Sequence, residues 1–243
     1  MKNSLKLLCC SLIIGCSSTD EDLKNRNVNS VYKKAISLMK AKEYTDAASE
    51  FKNIEMLFPY SSKATDGQIL AAYCYFLASS YMDAIREIKV FLRYHPSNKL
   101  VPYAMYLKAM CLYMQVASVG RDSKVALDAK HDFVELVNRF PESKYYEDSL
   151  KKIVILDDII AAHEMTIGRY YQKNKSALAA IGRYTFVATN LLHTGYADEA
   201  FYRIAECCYF LGLKKEAENA IASLKNLYPS SRWTKKAKFL TRK

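Results

Sequence analysis

Four of the chain's five prolines mark a repeat. Pro59, Pro96, Pro141 and Pro229 each follow a helix-like segment, at intervals of 37, 45 and 88 residues. A unit of 37 explains the first interval. Counting 37 back from Pro229 reaches Leu192, so a fifth stop is expected there without its proline. The intervals of 45 and 51 then carry insertions of 8 and 14 residues. Twelve residues before each stop stand Ala47, Ala84, Ala129, Ala180 and Ala217. Four residues later come Phe51, Ile88, Phe133, Tyr184 and Ile221, and three later again Ile54, Phe91, Leu136, Val187 and Leu224. Spacings of 4 and 3 put these positions on one face of a helix. Two residues past each stop stand Ser61, Asn98, Ser143, Thr194 and Ser231, all able to cap the next helix by accepting an unpaired N–H.

The first half of each unit repeats as well. Thirteen residues past a stop lie Ala72, Ala109, Val154 and Ala205, and one unit earlier Ala35. A small residue there lets the paired helix approach closely. Each unit reads as helix A, turn, helix B, stop, which is the tetratricopeptide (TPR) design. Seven Gly and five Pro in 243 residues are too few for a many-stranded β protein and suit long helices with short connections. The predicted fold is all-α: an α-solenoid of five TPR-like helical hairpins with a C-terminal helix, stacked because no single hairpin buries its apolar face. The segment from Ser143 to about Asn174 holds no breaker except Gly168, and is expected to be one helix that absorbs the 14-residue insertion. The stretch Ser118–Ser123 absorbs the eight.

The start of the chain reads differently. Met1–Lys6 carries two Lys and no acid, an apolar run from Leu7 to Ile14 follows, and then Gly15 and Cys16. This is the order of a secretory signal, and eight apolar residues are too few for a bilayer span, which needs about 20. Ile13-Ile14-Gly15-Cys16 resembles the lipobox of bacterial lipoproteins, which implies cleavage before Cys16 and palmitate-type acylation there. Ser17 after the cysteine implies, by the same resemblance, sorting to the outer membrane. The expected organisation is a signal peptide over 1–15, a lipidated tether over 16–27 and a TPR domain over 28–243, with stops near 59, 96, 141, 192 and 229.

Cys74, Cys111, Cys207 and Cys208 remain downstream of Cys16. The first three fall fifteen residues past a stop, at equivalent points of different repeats, too far apart for the roughly 7 Å that a disulfide tolerates. Buried free thiols are expected. The net charge is +11, densest at Arg232, Lys235, Lys236, Lys238, Arg242 and Lys243. A solvated terminal helix accounts for it, a contact to phosphate being the alternative. No aromatic-interleaved nucleic-acid motif accompanies the charge, so no nucleic-acid partner is expected. The four His are scattered, and His163-Glu164 lacks the second His of a zinc helix. No Gly-rich phosphate loop or G-x-S-x-G elbow is present, and the pair Asp157-Asp158 points apart on a helix. The expectation is no catalysis, no metal and no cofactor.

Several stretches together carry a family resemblance: Tyr32 to Pro59, Val101-Pro102-Tyr103-Ala104-Met105-Tyr106-Leu107, Phe140-Pro141-Glu142-Ser143-Lys144-Tyr145, and His163 to Arg183. In the last, Glu164-x5-Tyr170-Tyr171 precedes Ala177-x5-Arg183. With the lipobox and five units, the chain resembles the BamD family, TPR lipoproteins of the outer-membrane β-barrel assembly (BAM) complex. Leu192 stands where that family usually has Pro, and the insertion in the third repeat is short. The resemblance implies a non-enzymatic scaffold, lipid-anchored on the periplasmic face of the outer membrane, that assists assembly and insertion of β-barrel proteins. Its C-terminal repeats would hold the POTRA domains of a BamA-like barrel subunit, with Arg183 at the contact. Its N-terminal repeats would receive unfolded outer-membrane proteins, with Tyr60, Tyr73 and Tyr103 as groove candidates. For each tyrosine, packing between helices is the alternative, and for Arg183, a solvated helix position. Another periplasmic TPR adaptor, in cell-envelope or division machinery, is the alternative function.

Overall fold

The computed structural model describes residues 27–119 and 123–240. These form two units, one up to Ala71 and one from Ala72. The first holds α1 (Val28–Lys40), α2 (Tyr44–Leu57) and the opening of α3 (Ser62–Leu77). The second holds the rest of α3, then α4 (Tyr81–Tyr94), α5 (Val101–Val119), α6 (Lys124–Arg139), α7 (Tyr146–Lys173), α8 (Ala177–Asn190), α9 (Ala197–Phe210), α10 (Lys214–Leu227) and α11 (Arg232–Leu240). Among the described residues there are eleven helices and no strand: five A–B hairpins and a terminal helix. The expected signal, Cys16 and nearly all of the tether lie outside the described residues.

One turn recurs after each B helix. Phe58, His95, Phe140, Leu191 and Tyr228 leave the helical region at φ of −129 to −136°, while their N–H still donates to the carbonyl four residues back. Their own carbonyls accept from the N–H of Ser61, Asn98, Ser143, Thr194 and Ser231, at 2.9–3.1 Å. Proline after four of these residues excludes the helical conformation. Leu191 takes the same non-helical conformation although Leu192, not proline, follows it. Here tertiary contacts substitute: Leu191 is buried, the Thr194 hydroxyl donates to its carbonyl at 2.7 Å, and the Tyr228 phenol donates to the Leu192 carbonyl at 2.5 Å.

The capping expectation needs amendment. Ser61 and Ser231 accept the N–H of Lys63 and Trp233, in the first turn of α3 and α11. Asn98 and Ser143 accept the N–H of Leu100 and Tyr145, and so close turns ahead of α5 and α7. Thr194 donates backward instead. A second turn joins A to B. Lys42, Ser79, Lys175 and Gly212 have φ of 59–78°, each five residues before the repeat alanine. The next N–H reaches back to Leu38, Tyr75, Tyr171 and Cys208 at 2.9–3.0 Å, which closes off each A helix.

All five repeat alanines are fully buried, and the ten large residues that follow them are at most 2% exposed. Burial of each large side chain contributes roughly 1.5–3 kcal/mol. Ala35, Ala72, Ala109 and Ala205 are also fully buried. Val154 is not: it is 51% exposed. The residue twelve before Ala180 is Gly168, matching the pairs Ala35/Ala47, Ala72/Ala84 and Ala205/Ala217. A Cβ on Gly168 would stand 2.4 Å from Cε1 of Tyr184. The 14 inserted residues therefore precede the close-approach residue. The 28-residue α7 uses its first part against α5 and α6, through Asp148–Tyr106 at 2.7 Å and Asp157–Lys130 at 2.5 Å. Its last part packs on α8. At the eight-residue insertion in the third repeat, α5 itself extends to Val119, so part of that length is helical.

Among the described residues the four cysteines, Cys74, Cys111, Cys207 and Cys208, are buried and free. Burial pushes the thiols of Cys74 and Cys207 up to about 11 and that of Cys111 to about 12. Among the described residues, no helix is long and apolar enough to cross a membrane.

Candidate partner-binding site

The sequence pointed to Arg183, and the structure places it on α8 beside α7. Ala180 and Tyr184 are fully buried, so Arg183 emerges from the flank of that face. Its Nη1 donates to Oε2 of Glu164 at 3.1 Å. Glu164 is nearly buried, whereas the Arg183 side chain remains 45% exposed. The guanidinium is thus aimed by one carboxylate of its own chain while its remaining surface faces solvent. A planar fork with several donors can hold one partner on each side.

A separate polar ladder joins α7, α8 and α9. The phenol of Tyr184 donates to Gln172 at 2.9 Å, and the Gln172 amide donates to Glu206 at 3.2 Å. Arg203 joins Glu206 at 2.8 Å to Glu199 at 3.2 Å, and Arg169 grips Glu199 at 2.8 and 3.2 Å. Burial opposes ionisation of Glu199, but the guanidiniums of Arg169 and Arg203 outweigh it and hold the carboxyl below its usual range. Asp157, also buried, meets Lys130 of α6 and Nε2 of His193 at 2.9 Å, so it ties α7 to the turn after α8. Sequence reading found none of these pairs. The partners that cross between helices stand 12 to 36 residues apart, with no local pattern to reveal them; only the Arg203 pairs lie within one helix, three and four residues apart.

The tyrosine candidates separate. Tyr60 is fully exposed and belongs to the first unit; Tyr73 and Tyr103 are half-buried in the second. Tyr103 packs on Tyr145 at 5.7 Å between ring centroids, and Tyr145 stacks on Tyr106 at 4.7 Å. Burial pushes the Tyr103 phenol upward, with Tyr73 and Tyr145 adding to the effect. Tyr103 thus belongs to an aromatic cluster with Tyr145 and Tyr106, half-buried among the helices.

His131, Asp132 and Glu135 bring possible metal-ligand atoms within 4.8 Å on α6. Lys108 already pairs with Asp132 at 2.9 Å, and Arg139 with Glu135 at 2.7 Å. Those two cations compensate the acids and oppose a third positive charge.

Residues 24–224 match the YfiO family, described as outer membrane lipoprotein. A protein of Rickettsia prowazekii named outer membrane protein assembly factor BamD is 34% identical over 229 residues, 93% of this chain and 91% of its own. Proteins of the same name from Caulobacter vibrioides and Neisseria meningitidis are 31% and 29% identical. The matches cover 86% and 84% of this chain, and 69% and 80% of theirs. With the helical hairpins and the matched length together, the chain belongs to the BamD family of outer membrane protein assembly factors.

Proposed function

We propose that this chain is a non-enzymatic scaffold that assists assembly and insertion of β-barrel proteins at the outer membrane. Acyl chains on Cys16 would hold it to the periplasmic face. Arg183 would bind the POTRA domains of a BamA-like barrel subunit, and the surfaces around Tyr60, Tyr73 and Tyr103 would receive unfolded outer-membrane protein segments. Family membership carries the assembly role. The half-exposed, carboxylate-aimed guanidinium of Arg183 supports the partner contact. The buried acids Asp157 and Glu199 are committed to cross-helix pairs, a structural use rather than acid–base chemistry.

The test is a titration of the full chain against purified POTRA domains at physiological salt. The Arg183–Glu164 pair is partly exposed, so it contributes at most about 1 kcal/mol to folding. Arg183→Glu alone would set two carboxylates together at nearly buried Glu164, so it is made in the Glu164→Gln background, where it should lower the melting temperature little and weaken binding by tenfold or more. Glu164→Gln, which keeps the arginine, should leave binding near the parent value. Equal affinity for the double variant and the parent would reduce Arg183 to a structural position.

A further inference from the structure

The end of the second unit at which α9 turns into α10 carries a surface that the assembly role does not use. Consecutive helices joined by short turns run antiparallel, so the C-terminus of α11 returns to the level of the α9–α10 turn. Phe210 and Leu240 accordingly line one cavity of about 330 Å³, together with Lys175 of the α7–α8 turn. Buried Trp233, packed on Tyr202 at 4.9 Å, fixes α11 in place.

This rim exposes large apolar side chains: Phe210 and Phe239 are 65% and 67% open, and Leu211 and Leu213 of the turn are exposed too. Around them stand exposed lysines: Lys175, Lys214, Lys215 and Lys238. Lys214 and Lys215 open α10, the end of a helix that carries partial positive charge and disfavours cations. Helix stability therefore does not account for them. Glu216 and Glu218 are the exposed acids beside them, fewer than the four lysines, and Glu206 in the cavity is already held by Arg203 and Gln172.

We propose that this rim docks on an anionic phospholipid surface, with Phe210 and Phe239 entering the headgroup layer and the lysines meeting lipid phosphates. Two observations favour lipid over an acidic protein. Aromatic and leucine side chains interspersed with lysine are the composition of an interfacial membrane contact. The rim's cations are lysines, flexible point charges suited to a fluid array of phosphates, whereas bidentate capture of fixed carboxylates favours arginine. The inference rests on the outer-membrane location adopted above, and it adds a second, protein-made contact to the acyl anchor.

The experiment is flotation of the chain from Ser17 onward, which lacks both the apolar signal and the acylated cysteine, with two vesicle types. One contains phosphatidylglycerol and phosphatidylethanolamine; the other is phosphatidylcholine alone. The chain should float with the first, and Lys214→Gln/Lys215→Gln should weaken that binding about 30-fold, each lysine near an anionic surface being worth roughly fivefold. Phe210→Ser/Phe239→Ser should weaken it further while leaving the melting temperature unchanged. Equal flotation of parent and variants would overturn the proposal, since binding would then reside elsewhere in the chain. So would absence of binding to the anionic vesicles. A photo-crosslinker placed at Phe239 in cells that captured a protein in place of lipid would also overturn it. Failure here with intact POTRA binding would refute the rim contact alone and leave the scaffold reading standing.

Discussion

Gly168→Ala is the sharpest perturbation of the repeat frame. In an exposed helix this change stabilises, because alanine is favoured over glycine by about 0.8–1.0 kcal/mol. At Gly168 the new methyl would stand 2.4, 2.8 and 2.9 Å from Cε1, Cδ1 and Cζ of Tyr184. That ring has no room to yield: Tyr184 is fully buried, and its hydroxyl is held by Gln172. Overpacking of this kind costs typically 1–3 kcal/mol, and the clash lies at the severe end. After subtraction of the propensity gain, a net loss of about 1–2 kcal/mol is expected, or roughly 2–8 °C in melting temperature for a chain of this size. Gly182 supplies the control. It sits in α8, and a Cβ there would meet nothing within 4 Å, so Gly182→Ala should raise the melting temperature. A third variant, Gly168→Ala/Tyr184→Leu, should lose less than the sum of its single changes, because the leucine vacates the space that the methyl needs. Circular dichroism melts of all variants decide the matter. Gly168→Ala melting at or above the parent would show that α7 and α8 do not approach as described, and would return the close-approach position to the register that names Val154.

Other consequences follow from the same packing. Cys74, Cys111 and Cys207 have thiols raised by burial from 9.0 to about 11, 12 and 11, so the unfolded chain releases these protons first. Their contribution is whole below pH 9 and fades between pH 9 and 12; denaturant midpoints across that window should fall, and less so in Cys74→Ala/Cys111→Ala. Glu199 has the opposite sign: its carboxyl is lowered by Arg169 and Arg203, so its stabilisation is present at neutral pH and is lost as pH falls through the folded value. Acid titration of Glu199→Gln should accordingly show a shallower loss than the parent. Cys16→Ser should leave the precursor uncut and shift the protein away from the outer-membrane fraction; unchanged processing would refute acylation at that cysteine.

Hydrophobic periodicity determined the architecture before any coordinate was needed. The alanines at 47, 84, 129, 180 and 217 and their large partners four and seven residues on all fall in the core, because helix period alone decides which side chains share a face. Free, buried cysteines were legible for the same reason: equivalent repeat positions cannot come within disulfide reach. What escaped was whatever depends on three-dimensional neighbours. An insertion inside an unbroken helix leaves no punctuation, so counting forward from Pro141 named exposed Val154, and only the contact with Tyr184 identified Gly168. The stop at Leu191 was placed by arithmetic, but its cause lies in Thr194 and in Tyr228, 36 residues beyond the carbonyl that it holds. Arg183 could be singled out on α8, yet its carboxylate partner sits on the preceding helix, 19 residues away. Side-chain pairing across helices is set by where packed backbones bring long polar side chains, and the packing of small and large residues along one face decides that placement only once the helices have met.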